Sequence, residues 1–128
     1  VISDGFSLFI QRILINAGLP NVPIYANHFV EESGIFKVVF TNSAMGCLAG
    51  TCKCSVAQKL SQEKPIVLIG DGCSDFCLTD KADYVFAKGN LIAYCRDKGI
   101  IHSTFKNFRD IIQGLHQLEI SDMRFGRL

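Results

Sequence analysis

The sequence predicts an α/β domain built on a mainly parallel, Rossmann-like sheet with one β-hairpin added. Three observations predict it. Strand-like and helix-like segments alternate along the chain, which favours parallel pairing through helical crossovers. The run Pro65-Ile66-Val67-Leu68-Ile69 is continuously apolar and closes on Gly70-Asp71-Gly72, the pattern of a parallel strand buried on both faces. With 48% hydrophobic and 20% charged residues, the 128-residue chain has enough apolar surface for a core without disulfide staples.

Each element has its own signal. Phe6, Phe9, Ile10, Ile13, Leu14 and Ala17 recur at helical spacing, and Gly18 stops that helix. Residues 22–29 read as a strand and residues 35–40 as a second, joined through Glu31-Glu32-Ser33-Gly34 as a hairpin. The stretch 41–51 is small, uncharged and glycine-containing, so it reads as a loop; a helix follows over 55–62. After the apolar run, Ser74 is suited to cap a short helix. Residues 83–86 form a strand candidate, residues 90–98 a helix stopped by Gly99, and Ile100-Ile101 a last short strand. Phe105, Phe108, Ile111, Ile112 and Leu115 trace a final helical face, and a polar tail begins at Glu119. No repeat or linker divides residues 1–128, which read as one domain portion.

Composition excludes several functions. Thirteen Lys and Arg against twelve Asp and Glu leave a net charge of +1, without the basic stripe that nucleic acid demands. No stretch has the length and apolarity of a membrane span. Val1-Ile2-Ser3-Asp4-Gly5 carries no signal-peptide pattern, so the six cysteines are expected to be thiols in a reducing cytoplasm. The chain opens without Met on an apolar pair and a glycine turn, which reads as a cut inside a domain.

Three segments carry chemistry. In Gly70-Asp71-Gly72-Cys73-Ser74-Asp75, two carboxylates four residues apart follow a strand end, where open α/β sheets bind ligands. Such a pair beside a phosphate suits Mg²⁺; an acidic turn is the plainer reading. Ser3-Asp4-Gly5 before a helix offers a hydroxyl and amides to an anion, or an ordinary cap. Lys53, ahead of the next helix, reaches a phosphate or simply solvent.

In this order, the three resemble the second, third and fourth motifs of the haloacid-dehalogenase-like (HAD) phosphatases. The stretches Val1-Ile2-Ser3-Asp4-Gly5-Phe6, Tyr25-Ala26-Asn27, Gly50-Thr51-Cys52-Lys53 and Ala82-Asp83-Tyr84-Val85-Phe86-Ala87-Lys88 resemble the phosphoserine-phosphatase-like branch, and within it the phosphatases of methionine salvage. The resemblance implies a Mg²⁺-dependent phosphomonoester hydrolase that works through an aspartyl-phosphate on a small phosphorylated metabolite. It implies catalytic roles for Ser3, Lys53, Asp71 and Asp75, phosphate binding by Ser3, Asp4, Gly5 and Lys53, and Mg²⁺ at Asp71 and Asp75. An anion at Asp4 beside a phosphate is unfavourable, so a turn role is its alternative; Lys59 competes with Lys53.

The chain departs from the family at one place. The first motif, Asp-x-Asp on the central strand, does not occur in these residues, and the cap inserted after it is also missing. The expectation is therefore the carboxyl-terminal portion of a phosphatase, inactive alone, whose partner is the missing amino-terminal portion. The alternative is a non-catalytic module that binds phosphate or protein. Separately, Cys47, Cys52 and Cys54 form a C-x₄-C-x-C cluster with His28 as a fourth donor for zinc, although structural zinc sites usually pair cysteines as C-x₂₋₄-C.

Overall fold

The computed structural model describes the backbone of residues 1–125 and the side chains through residue 118. The fold is mixed α/β and divides into two compact units, residues 1–65 and 66–128.

The first unit contains β1 (Ile2–Phe6), α1 (Ser7–Asn16), β2 (Tyr25–Glu32), β3 (Ile35–Val39) and α2 (Lys53–Ser61). Its sheet has the order β1-β2-β3, with β1 parallel to β2 and β3 antiparallel to it. The hairpin turn is Ser33-Gly34, both at positive φ (53° and 77°), a backbone twist that matches the right-handed twist of the flanking strands. Phe6 stacks on Phe29 with ring centroids 4.1 Å apart, and Phe9 meets Phe29 edge-on at 6.3 Å, which ties α1 to β1 and β2. The apolar stripe read along α1 is largely exposed: none of its residues is buried. The second helix begins at Lys53 rather than at residue 55, because Val56 N–H already donates to Cys52 O at 3.1 Å.

The second unit contains β4 (Val67–Gly70), α3 (Phe76–Thr79), β5 (Tyr84–Ala87), α4 (Asn90–Lys98), β6 (Ser103–Thr104) and α5 (Phe108–Phe125). Its sheet is all parallel in the order β4-β5-β6. Leu68, Val85, Phe86, Ala87, Leu91, Cys95 and Ile111 form its core. Asp110 accepts the Lys106 and Asn107 amides at 2.8 and 3.2 Å and caps α5; those two bonds hold its carboxyl below the usual range.

Three expectations are corrected. The β4 run is buried on one face only: Leu68 is inside, while Val67 and Ile69 are 38% and 43% exposed. Its outer edge has no strand neighbour within the sheet, as is also true of β1 in the first unit. The last strand is Ser103–Thr104 and not Ile100-Ile101, because Ile100 N–H is used to close α4 on Cys95 O at 2.8 Å. Ser74 does not cap a helix; it lies in a 3₁₀ turn over Cys73–Asp75, and Asp75 takes the capping role. The backbone helix of α5 runs through the position where a polar tail was expected, whose side chains lie outside the described residues.

Gly114 on α5 packs against the ring of Phe86, and a methyl group there would lie 2.8 Å from Phe86 Cζ. Phe86 is 3% exposed, so its ring has no open space to swing into. Helix propensity alone favours Gly114→Ala by about 1 kcal/mol, whereas overpacking costs about 1–3 kcal/mol. G114A is expected to lower the unfolding midpoint in urea. A higher midpoint would show that α5 does not pack on β5 in this way.

Candidate functional site

In the first unit, the segment Ser3-Asp4-Gly5 leaves the ladder. Ile2 pairs with Tyr25 and Phe6 with Asn27, so four residue steps of β1 run beside two of β2. Side chains tie down the surplus backbone. Ser3 Oγ accepts the Gly5 N–H at 3.0 Å. Asp4 Oδ1 accepts the Thr51 N–H at 2.9 Å and Asn27 Nδ2 at 3.3 Å, while Asp4 O accepts the same amide nitrogen at 2.8 Å. Thr51 Oγ1 donates to Asn27 Oδ1 at 3.1 Å.

Asn27 and Thr51 are buried, so this network joins β1, β2 and the entry to α2 where water does not compete. Gly50 is required beside it, since a Cβ there would lie 2.8 Å from Asn27 Oδ1. Asp4 thus has a positioning role: its carboxylate holds the loop that carries Thr51 and, two residues on, Lys53. Lys53 is the first residue of α2, and α2 packs on β1. Lys59 lies in the last turn of α2 and lines a separate cavity of about 240 Å³ with Tyr25, Thr41, Asn42, Ser43 and Ser55.

In the second unit, Asp71 follows the last residue of β4 and is exposed. Asp75 is 3% exposed, and its Oδ2 accepts the N–H of Asp71 at 3.0 Å and of Gly72 at 3.1 Å. Gly70 permits this approach: a Cβ there would sit 2.6 Å from Asp75 Cγ. From the other side, Leu91 N–H reaches Asp71 O at 3.3 Å and Lys88 N–H reaches Gly70 O at 3.0 Å. The backbone that carries Asp71 is therefore fixed on both sides.

A cavity of about 390 Å³ opens here, lined by Asp71, Lys88, Phe105, Lys106 and Asn107 among others. Lys88 Nζ donates to Lys106 O at 3.2 Å and lies 5.9 Å from the Phe105 ring centroid. Sequence reasoning gave Lys88 and Lys106 no role. The signal for Lys88 was its place directly after β5, where a parallel sheet collects its ligand-facing loops.

The donor set fits a hard divalent cation in part. Exposed Asp71 at a strand end beside an open cavity is the kind of carboxylate that Mg²⁺ takes together with water and phosphate. One oxygen of Asp75 is committed to the loop amides, so Asp75 positions Asp71 as well as adding negative charge.

Removing the Asp4 carboxylate leaves the Thr51 amide and Asn27 without that acceptor. An unmet buried donor costs about 1–3 kcal/mol. Asp4→Ala is therefore expected to lower the unfolding free energy by about that amount. Ser3→Ala, which loses one exposed turn bond, is expected to cost less. Denaturant unfolding of the two variants checks the order, and equal losses would contradict it.

No protein-family model matches the chain. Curated relatives do. One from Exiguobacterium sibiricum is 33% identical over 124 residues, covering 94% of this chain and 56% of the relative. One from Geobacillus kaustophilus is 37% identical over 124 residues, with the same two coverages of 94% and 56%. One from Lysinibacillus sphaericus is 30% identical over 128 residues, covering 92% and 55%. The chain spans about half the length of the curated relatives it matches. Along nearly all of its own length, then, the chain is homologous to part of the proteins named 2-hydroxy-3-keto-5-methylthiopentenyl-1-phosphate phosphatase.

Proposed function

We propose that the chain is the carboxyl-terminal portion of a HAD-like, Mg²⁺-dependent phosphatase acting on a small phosphorylated metabolite, with the methionine-salvage substrate of its relatives as the first candidate. The observation that supports it best is the Asp71 loop: an exposed carboxylate at the end of a parallel strand, held by a buried second carboxylate, in a chain whose relatives are named as phosphatases. Ser3 donates its hydroxyl to the phosphoryl group. Lys53 places a point charge on the same group and on the attacking carboxylate. Asp71 holds the cation, and Asp75 keeps the Asp71 backbone in place. Mg²⁺, when bound, neutralises charge on the phosphoryl oxygens. The attacking group is an aspartate outside these residues, since no Asp-x-Asp occurs among them; its carboxylate oxygen displaces the substrate's alcohol from phosphorus to form an aspartyl-phosphate, which water then hydrolyses to phosphate and the free carboxylate. On this reading the protein works in the cytoplasm.

The test compares two chains in an assay of a small phosphomonoester with Mg²⁺. One is these 128 residues; the other adds an upstream apolar strand ending in Asp-x-Asp. Turnover is expected from the longer chain alone, with Ser3→Ala in it lowering kcat roughly 10²-fold, the usual effect of removing one donor to developing negative charge. Equal turnover by both chains would overturn the proposal that the nucleophile lies elsewhere.

A further inference from the structure

We infer that Lys88 is a positioning residue of the second unit: its ammonium clamps the segment 105–107 as a wall of the cavity that Asp71 lines, and so sets how the organic part of a phosphomonoester is held there. The substrate in this inference rests on the phosphatase reading; the clamp rests on geometry alone. Lys88 Nζ donates to Lys106 O at 3.2 Å. The cavity of about 390 Å³ is lined by Asp71 and Lys88, which directly follow β4 and β5, and by Phe105, Lys106 and Asn107 from the connection between β6 and α5. Lys88 therefore joins two parts of the lining that are otherwise separate in sequence.

The Lys88 backbone is fixed to the strand end that presents Asp71. Its N–H donates to Gly70 O at 3.0 Å, and Leu91 N–H donates to Asp71 O at 3.3 Å. Between them Gly89 takes φ 55°, and a Cβ there would lie 3.0 Å from Asp71 O, so the turn sits directly on the Asp71 peptide. The opposite wall has its own anchors. Phe105 N–H donates to Ala87 O at 3.3 Å, and the Lys106 and Asn107 amides bind Asp110. Those bonds use the amides of the wall; the Lys88 ammonium takes the Lys106 carbonyl.

Two contacts of Lys88 could carry this role, and their geometry separates them. The ammonium lies 5.9 Å from the Phe105 ring centroid, at the outer limit of about 6 Å for a cation–π contact. The bond to Lys106 O is within hydrogen-bond range and involves a charged donor, the stronger kind. The hydrogen bond is therefore the clamp. Its acceptor is backbone, so the Lys106 side chain is not needed for it. Lys88 holds a wall and does not touch the reacting atoms, so its loss weakens binding of the substrate and the transition state alike, which raises KM and leaves kcat nearly unchanged.

The first measurement is residue-resolved amide exchange of these 128 residues, unmodified and as Lys88→Met, Lys88→Arg and Lys106→Met. Lys88 is exposed, so its variants are expected to fold. In Lys88→Met the Phe105, Lys106 and Asn107 amides should exchange about threefold faster or more, the loss of one charge-assisted bond at the surface. Lys88→Arg, which keeps a charged donor, should restore them, and Lys106→Met should leave them as they were. Unchanged exchange in Lys88→Met, or no rescue by arginine, would overturn the clamp. The second measurement places Lys88→Met in the chain extended by the upstream Asp-x-Asp strand: KM for a small phosphomonoester should rise about threefold or more with kcat nearly constant. An unchanged KM in an active extended chain would overturn the role in substrate binding. No turnover by the unmodified extended chain would instead count against the phosphatase reading and against the substrate role that rests on it, with the clamp still decided by exchange.

Discussion

Backbone amides that follow a strand end or precede a helix lie outside any ladder and need acceptors, and in this chain two aspartates supply them. Asp4 receives the Thr51 amide, and Asp75 receives the amides of Asp71 and Gly72. A buried amide without a partner costs as much as a lost hydrogen bond, so these contacts decide whether the loops have one conformation or many. The glycines follow from the same constraint. Gly50 and Gly70 stand where any side chain would collide with Asn27 or Asp75.

The two loops held in this way are those on which the phosphatase resemblance places phosphate and metal ligands. In the second unit the carboxylate that organises the loop is distinct from the residue that faces outward. Asp4 and Asp75 bind backbone, whereas Asp71 stays exposed and Lys53 begins a helix. Division of labour of this kind lets a charged ligand be presented without burying it. It also explains why an acidic residue next to Ser3 does not conflict with an anion site: its oxygen is turned to its own fold.

Local features of the fold were legible in the sequence. The helix over Asn90–Lys98 and its left-handed glycine stop at Gly99 (φ 68°) are written in adjacent residues. So are the hairpin turn and the Gly70-to-Asp75 loop. Features that depend on distant partners were not. The Asp4–Thr51 bond spans 47 positions, and nothing in the spacing of either residue reveals it. Continuous apolarity from Ile66 to Ile69 cannot say which face finds a cover, and Val67 and Ile69 find little within their sheet. A serine and an aspartate one residue apart both suit a cap, and only the geometry of the 3₁₀ turn chooses Asp75. That Lys88 and Lys106 line one cavity with Asp71 is visible only once β4, β5 and the loop following β6 are assembled.

The most direct test of loop organisation by carboxylates is residue-resolved amide hydrogen exchange. Asp71, Gly72 and Thr51 lie outside regular ladders, so exchange there reports the aspartate acceptors themselves. All three amides are expected to exchange slowly in the native protein; Thr51 should become fast in Asp4→Ala, and Asp71 and Gly72 fast in Asp75→Ala, while the β4–β5 ladder amides stay protected. Rapid exchange of these amides in the unmodified chain would contradict the account.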